Sequence, residues 1–346
     1  MSRLLADRSV PGGAYLPRAL TAGRSVPVHL LALAVVVWLV ALPFGASAYT
    51  VGVVGRILAF GLFVASLDFL VGIAGLPSLG HGAFFGIGAY AAALLARDVT
   101  AVGPAQLAIA AAIGAAAAGV TGLVTIRSRG IYFVMLTLAI GELARQVADS
   151  WTSLTGGANG LAGVPALKLI PGGGSVVIAG HIYWYVLAMT ALAFGLLAAV
   201  RASAFGQALK GLRDNEDRMR ALGYSVTGLK LAALFVAGGF AGLAGSLWLT
   251  QLRFVSPADV GFTTSALALL CVVIAGSGSL WGSFVAAAVV IVVRDELGTV
   301  IGGRGPLVLG LMFIAVVYLL PRGLAGLVPG GLRPQPQPAL GTGVAE

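Results

Sequence analysis

The sequence predicts an all-α, polytopic transmembrane helix bundle of about ten spans. Only 10% of its 346 residues are charged and 59% are hydrophobic, whereas soluble domains carry about 25% charged residues. The apolar residues form long runs of the length that crosses a bilayer as a helix. The 51 glycines lie largely inside these runs, where small residues let membrane helices approach closely. A soluble fold is excluded, because it could not cover this much apolar surface.

Ten apolar segments are predicted as membrane spans. Between the eighth and the ninth lies a short stretch, Ser277 to Trp281, that is either a break between two helices or a kink in one. In chain order, the predicted spans cover residues 28–46, 52–74, 79–97, 105–126, 130–150, 182–200, 227–251, 264–281, 283–300 and 305–321.

The basic residues predict the orientation of the bundle. With the N-terminus in the cytoplasm, more than half of the 21 lysines and arginines fall on the cytoplasmic side, as the positive-inside rule requires. The formal charge of +9 therefore reflects topology, and no nucleic-acid partner is expected. Residues 1–27 form a basic cytoplasmic segment and 28–327 the membrane domain. Residues 328–346, rich in Pro and Gly, have the composition of a disordered tail.

Two polar loops interrupt the membrane domain: residues 152–181 outside the cell and 201–226 in the cytoplasm. From Ala204 to Gly223 the cytoplasmic loop has apolar residues at helical spacing, which predicts one amphipathic helix that ends at Gly223. The face of this helix comprises Phe205, Leu209, Leu212, Glu216, Met219 and Leu222.

This apolar face requires a covering surface, which is either lipid headgroups or a groove on another protein. Glu216 favours the protein, because a carboxylate is repelled by anionic lipid. We therefore expect Glu216→Lys to weaken binding of the partner without unfolding the spans.

Several polar or small residues inside the predicted spans are candidates for the solute path or for seams between helices. Glu142, Arg145 and Asp149 share one helix face. These charged residues form a structural ion pair, line the solute path, or lie at a seam with a second subunit. The other candidates are Asp68, Ser78, His81, Gly82 and Gly86. Gly82 and Gly86, like Gly238 and Gly242, have the spacing of helix-contact residues.

Single residues have structural alternatives as well. His81 is interpreted as a histidine with satisfied hydrogen bonds or as a functional switch, and no nearby His or Cys suggests a metal. Asp68 marks an unusual solute or a local ion pair. Thr155, Gly156, Gly157 and Asn159 belong to a small-residue external stretch, which is a linker or a contact for an external protein. Cys271, the single cysteine, is predicted to lie in the core.

Six motifs together resemble the branched-chain amino acid permeases of ATP-binding-cassette (ABC) importers, LivM type. The cytoplasmic loop also resembles the coupling segment of such permeases through Glu216, Ala221 and Gly223, although Asp217 and Arg218 replace two alanines. Asp68 stands where that family usually has asparagine. The motifs, in the family's order, are Ser78–Tyr90, Arg129–Phe133 with Thr137–Ala139, Thr155–Leu161, Phe254–Pro257, Gly278–Gly282 and Pro321–Leu324.

The resemblance implies an ABC importer permease fold and the presence of the other subunits of such an importer. The expected partners are a homologous second permease, two cytoplasmic ATPase subunits, an external solute-binding protein and the lipid of a bacterial inner membrane. Coupling to the ATPases would use Leu209, Leu212, Glu216, Met219, Leu222 and Gly223. The solute would be a branched-chain or related amino acid, or urea or a short amide.

The chain itself is expected to catalyse no reaction and to hold no cofactor. It contains no Gly-x-x-x-x-Gly-Lys-Ser/Thr loop, so ATP hydrolysis must belong to other subunits. A secondary transporter driven by an ion gradient is one alternative, which the intramembrane Asp68 and the Glu142 cluster support weakly. A membrane-embedded enzyme is a second alternative, although the sequence shows no recognisable catalytic constellation.

Overall fold

The protein is a helical bundle, as the computed structural model shows for residues 26–128, 130–170, 172–297, 305–319 and 323. The fold class predicted from the sequence is confirmed. The N-terminal basic segment before residue 26 and the C-terminal tail 328–346 lie outside these described residues. The chain divides into two units, residues 1–46 and 47–346.

The first unit contains one described helix, α1 (Val26–Gly45). It has an apolar composition without a polar stripe, and Trp38 and Phe44 are exposed. This all-round hydrophobicity is typical of a helix whose surroundings are lipid.

The second unit contains all other helices of the described residues. Most of its membrane helices begin and end within a few residues of the predicted spans. In chain order, the described helices of this unit, with the short loop helices included, are α2 (Ala48–Asp68), α3 (His81–Asp98), α4 (Gly103–Thr125), α5 (Ile131–Ser150), α6 (Thr152–Thr155), α7 (Ala179–Ala202), α8 (Ala204–Asp214), α9 (Glu216–Ala221), α10 (Val226–Leu252), α11 (Pro257–Val260), α12 (Phe262–Ala275), α13 (Leu280–Ile291) and α14 (Gly305–Leu319).

Helix α10 is the centre of the second unit and packs against α4, α3 and α2. Glycines allow this approach. A Cβ at Gly242 would lie 2.2 Å from the Ala110 carbonyl oxygen, and one at Gly238 would lie 2.2 Å from the Ala118 Cβ. A Cβ at Gly88 of α3 would lie 2.3 Å from Gly242 Cα. The predicted contact role of Gly238 and Gly242 is confirmed, since no larger side chain fits between these backbones.

Five helices of the described part are long and apolar enough to cross a bilayer. Residues Phe69–Ile73, a π-helical extension of α2, belong to the first of them. The five are Ala48–Ile73, α4, α5, α7 and α10. The count of about ten spans stays a prediction.

The polar stretch after residue 275 is a break between two helices. Helix α12 ends at Ala275, and α13 begins at Leu280 after Gly276 and Gly278, which both have positive φ. The predicted boundary between the spans 264–281 and 283–300 is therefore wrong by several residues. Helix α13 continues as a π-helical segment, Val292–Leu297.

The second unit has two ends with different loops. One end, called here the strand end, carries a two-stranded antiparallel sheet of β1 (Leu161–Ala162) and β2 (Phe254–Val255). The Arg253 Nε donates to the Val164 carbonyl oxygen there at 3.0 Å. The other end, called the coupling end, carries α8, α9 and the connections 74–80 and 276–279. The loops predicted to share a side of the membrane thus share an end of the bundle.

Candidate functional site

The segment at the coupling end consists of two helices, where the sequence predicted one. Asn215 has extended backbone (φ −161°, ψ 105°) and separates α8 from α9. Its side-chain Oδ1 accepts a hydrogen bond from the Arg218 backbone N–H at 2.8 Å. The uninterrupted amphipathic helix from Ala204 to Gly223 is therefore a wrong prediction. Asn competes for the backbone as an N-cap, which ends one helix and begins the next.

The apolar face of this segment is covered by the chain's own bundle. Leu209, Leu212 and Met219 are buried in a cluster with Phe69 and Leu234. Only Leu222 of the predicted face is largely exposed. The expectation that lipid or another protein covers the whole apolar face of this segment is wrong, because α2 and α10 cover most of it.

Glu216 forms ion pairs inside the chain. Its Oε2 accepts a hydrogen bond from the Lys230 Nζ at 2.7 Å, and its Oε1 lies 3.2 Å from the Arg220 Nη2. The Lys230 side chain is only 8% exposed and that of Glu216 22% exposed. The carboxylate therefore ties α9 to the first turns of α10 and neutralises a buried ammonium group.

Gly223 ends α9 in the predicted C′ position. Its φ is +86°, and its N–H donates to the Arg220 carbonyl oxygen at 3.0 Å. The Tyr224 N–H donates to the Met219 carbonyl oxygen at 3.1 Å. These two bonds form a Schellman motif, which favours glycine at the left-handed residue.

The α8 helix is joined to the end of α2. The Arg213 Nη1 donates to the Gly72 carbonyl oxygen in the π-helical extension. Asp68, one turn earlier, is fully buried, and its Oδ1 accepts from the Gly278 backbone N–H at 2.6 Å. Instead of the ion pair considered from the sequence, Asp68 thus has a backbone partner in the break between α12 and α13. An asparagine could accept the same bond.

The segment from Ser78 to Gly86 joins the start of α3 to α12 and α11. Ser78 is buried, and its Oγ accepts from the Gly80 N–H at 3.3 Å. The Gly82 N–H donates to the Ser265 Oγ at 2.8 Å. A Cβ at Gly82 would lie 2.7 Å from that oxygen, and one at Gly86 would lie 2.8 Å from the Val260 Cα. Both glycines therefore lie at helix contacts.

His81 lies in an aromatic environment at the start of α3. Its ring is fully buried, stacks on Phe63 at 5.5 Å and meets the edge of Phe84. The Nε2 lies 2.9 Å from the Ser66 Oγ, and that hydroxyl donates to the Phe63 carbonyl oxygen. Because the Ser66 hydroxyl donates to that carbonyl, its oxygen is left to accept a hydrogen bond from the His81 Nε2.

Helix α5 is the least buried of the five long apolar helices. The Arg145 Nε donates to the Glu142 Oε1 one turn earlier, and the side chains remain 34% and 45% exposed. These residues and Asp149 line an open groove with a cavity volume of about 930 Å³. The three charged residues predicted to share a face are therefore brought together.

The predicted contact stretch at the strand end is only partly accessible. Thr155 and Gly157 are buried, and the Thr155 Oγ1 donates to the Ala148 and Trp151 carbonyl oxygens at the end of α5. Gly156 has φ +77°. Asn159 is exposed. The stretch is a structured turn instead of the flexible linker that was one alternative.

Asp259 stabilises the neighbouring turn, outside the membrane spans. Its Oδ2 accepts from the Ser256 N–H at 2.9 Å and from the Ser256 Oγ at 3.1 Å, which completes a capping box for α11. Burial raises the pKa of the Asp259 carboxyl, although both hydrogen bonds act in the opposite direction.

Within the described residues, no group of three or more His, Cys, Asp or Glu side chains could hold a metal ion. Cys271 is fully buried in α12. The coupling end and the α5 groove are two places in the described residues where charged side chains meet.

Sequence reasoning missed four polar residues that organise these places: Asn215, Arg213, Lys230 and Asp259. The Asn-Glu-Asp order at 215–217 is a signal for a helix start, and Ser256 with Asp259 is a capping-box signal. The partners of Arg213 and Lys230 have no local signal, because they come from other helices.

Known proteins match the chain over most of its length. The family model described as "Branched-chain amino acid transport system / permease component" matches residues 49–319. The chain is 31% identical to the "High-affinity branched-chain amino acid transport system permease protein LivM" of Escherichia coli K12, with coverage of 95% of this chain and 81% of the relative. The Salmonella typhimurium LT2 protein of the same name is also 31% identical, with coverage of 90% and 77%. No solved structure matches significantly.

Proposed function

Because the chain belongs to the family of permease components of branched-chain amino acid transport systems, we propose that it is one of two permease subunits of an ABC importer for branched-chain or related amino acids. The observation that carries the proposal is the family match across residues 49–319. The family argues against the gradient-driven transporter and the membrane enzyme. The bacterial inner membrane, with the N-terminus and the coupling end in the cytoplasm, is part of the proposal.

The open face of α5 supports a second permease subunit. Ionised side chains are costly in lipid and usually face protein or water, yet Glu142 and Arg145 are about one-third to one-half exposed. The same helix also exposes large apolar side chains, among them Met135 and Leu143. We assign the exposed apolar side chains of α5 beside the charged pair to the seam with the homologous permease.

The coupling end would receive the two ATPase subunits. The buried Leu209, Leu212 and Met219 hold α8 and α9 against α2 and α10, so that a displacement of these helices is passed to the spans. The surface left for the ATPases includes Leu222 and Asp217, which are largely exposed. Glu216 and Gly223 act by fixing the shape of this surface.

The strand end would meet the external solute-binding protein. Asn159 is exposed there, while Thr155, Gly156 and Gly157 form the turn that presents it. The sheet between β1 and β2 joins this turn to the end of α10, so the contact would lie on a rigid support.

The test is reconstitution of the complete importer in liposomes, with this chain, the second permease, the ATPases and the binding protein. We expect uptake of radiolabelled leucine that requires internal ATP and persists when ionophores collapse ion gradients. Competition by unlabelled isoleucine, valine, urea and acetamide identifies the solute class. Uptake that persists without ATP and stops with the ion gradient would overturn the proposal in favour of a secondary transporter.

A further inference from the structure

The groove along α5 has the position and the direction of half a solute path. Its lining begins at Ala158 and Ser256 at the strand end and continues along α5 to Met135. From Asp149 to Met135 the helix rises about 21 Å, at 1.5 Å per residue, within a helix of about 30 Å. The groove therefore runs along the helix axis, from the strand end through most of the depth of the bundle, and it is open on one side.

The lining combines two kinds of surface. Met135, Leu138, Pro257 and Phe262 provide apolar contacts, and Glu142 with Arg145 provides one negative and one positive charge in the outer half of α5. Because the two charged residues are i,i+3 neighbours, they are only about 4.5 Å apart along the helix axis. Ionisable side chains inside a membrane domain usually face its interior or a water-filled cavity, pair with one another, and mark the pathways of solutes or ions.

This combination of apolar and charged lining residues matches one chemical class of solute. An aliphatic α-amino acid is a zwitterion with an ammonium group, a carboxylate and an apolar side chain. Arg145 can pair with the carboxylate, because a guanidinium has donors beyond the Nε used by Glu142. Glu142 can accept from the ammonium group, and the apolar lining can cover the side chain. When the groove is empty, the two side chains neutralise each other, so the solute is held weakly enough to leave.

We propose that Glu142 and Arg145 are the solute-contacting residues of this subunit, which bind the α-ammonium and α-carboxylate groups of an aliphatic amino acid as it passes along α5. The proposal deepens the proposed transport function and rests on it. Gly261 is a positioning residue, because a Cβ there would lie 2.7 Å from the Arg145 Cδ and displace that side chain.

The first experiment measures leucine uptake and ATP hydrolysis by the reconstituted importer with variant permeases. We expect Glu142→Gln and Arg145→Gln each to lower leucine uptake per ATP hydrolysed at least about tenfold, which corresponds to 1.4 kcal/mol. Arg145→Lys should retain more uptake than Arg145→Gln, since it keeps the charge. Gln146→Ala is the matched control, an exposed polar residue of the same helix outside the groove lining.

The charge-swapped double variant Glu142→Arg with Arg145→Glu separates a structural pair from solute contacts. A purely structural pair works in either direction, so full uptake by the swapped variant would overturn the proposal. We expect the swapped protein to assemble and to bind the ATPases, but to stay as deficient in uptake as the single variants. Gly261→Ala should lower uptake while both charges are intact, and unchanged uptake would remove Gly261 from the proposal.

A second experiment does not depend on turnover. Thr263 is exposed and lines the groove, and the single native Cys271 is buried. In the assembled importer, Thr263→Cys should react with an impermeant thiol reagent, and leucine-loaded binding protein with ATP should slow that reaction. Protection should be lost with Arg145→Gln. A cysteine that does not react in the complex would show that the second permease fills the groove, and would overturn the proposal.

The outcomes distinguish this inference from the transport function. If wild-type protein shows no ATP-dependent uptake, the proposed function itself fails. If wild-type uptake is normal and both charge-neutral variants match Gln146→Ala, only the assignment of Glu142 and Arg145 fails.

Discussion

Replacement of Glu216 by glutamine should loosen α9 by an amount that the structure allows us to calculate. The carboxylate lies 2.7 Å from the Lys230 Nζ, and the change removes its charge without altering its size. At that distance Coulomb's law gives about 6 kcal/mol at an effective dielectric constant of about 20 and about 1.5 kcal/mol in water. Loss of one member of a buried pair costs roughly 3 to 5 kcal/mol.

The expected cost lies below that range. The Glu216 side chain is 22% exposed, and a glutamine oxygen still accepts a hydrogen bond from Lys230. We therefore expect α9 to open more easily by about 2 to 3 kcal/mol. This corresponds to roughly 30- to 150-fold less protection of its amides from hydrogen exchange.

Hydrogen exchange with mass spectrometry on the detergent-purified protein measures this directly. Asp217→Asn is the control, because Asp217 is next in sequence, its side chain is 81% exposed, and it lies 3.4 Å from Arg220. An exposed pair contributes at most about 0.5 kcal/mol, so its loss should change protection less than about threefold. Adding Lys230→Met to Glu216→Gln should restore most of the protection. Equal effects of the two single variants would refute the reasoning.

Three further predictions use the buried Cys271 as a reporter, because a thiol-reactive dye should label it only when the bundle opens during heating. Gly242→Ala should destabilise the bundle by about 1 to 3 kcal/mol, because the added methyl group overpacks the helix contact. Gly239→Ala should be tolerated, because its new Cβ would have its nearest neighbour at 3.4 Å. Equal melting temperatures of the two variants would contradict this prediction. Asp68→Asn should melt at the same temperature as wild type, because an oxygen acceptor remains. Asp68→Leu leaves a buried backbone N–H without its acceptor and should lower the stability by about 1 to 3 kcal/mol. Equal melting temperatures of the two variants would contradict the assigned role of Asp68. Since burial raises the pKa of Asp259, the folded protein keeps this proton to higher pH than the unfolded chain, and the stability that the carboxyl contributes falls as pH rises from its ordinary value through the raised one. Asp259→Asn should therefore gain in melting temperature relative to wild type from acidic to neutral pH, and a difference that is constant with pH would rule this out.

The fold class and the approximate position of most helices were predictable, because both depend on local composition. A run such as residues 105–126 must satisfy its backbone polar groups internally in lipid, and only a helix does so within one segment. The positions of α4, α5, α7 and α10 follow from that rule. The Gly223 end of α9 was predictable for the same kind of reason, since a left-handed residue after a helix favours glycine.

The candidate site was predictable only in part. The helical period alone places Glu142, Arg145 and Asp149 on one face, and the structure brings these residues into a shared groove. The coupling segment was mispredicted in two respects, its break at Asn215 and its exposed face. Periodicity identifies which residues share a face, but it contains no information on what covers that face.

The sequence by itself determined that this chain is a helical membrane protein of the branched-chain permease family, because hydrophobic length and local motifs are properties of neighbouring residues. Tertiary structure alone decided that Leu209, Leu212 and Met219 pack inward and that Glu216 is bound to Lys230. It also decided that Asp68 holds the break before α13 through Gly278. These contacts join residues far apart in the chain, and a hydrogen bond or an ion pair forms only where folding brings both partners within about 3 Å.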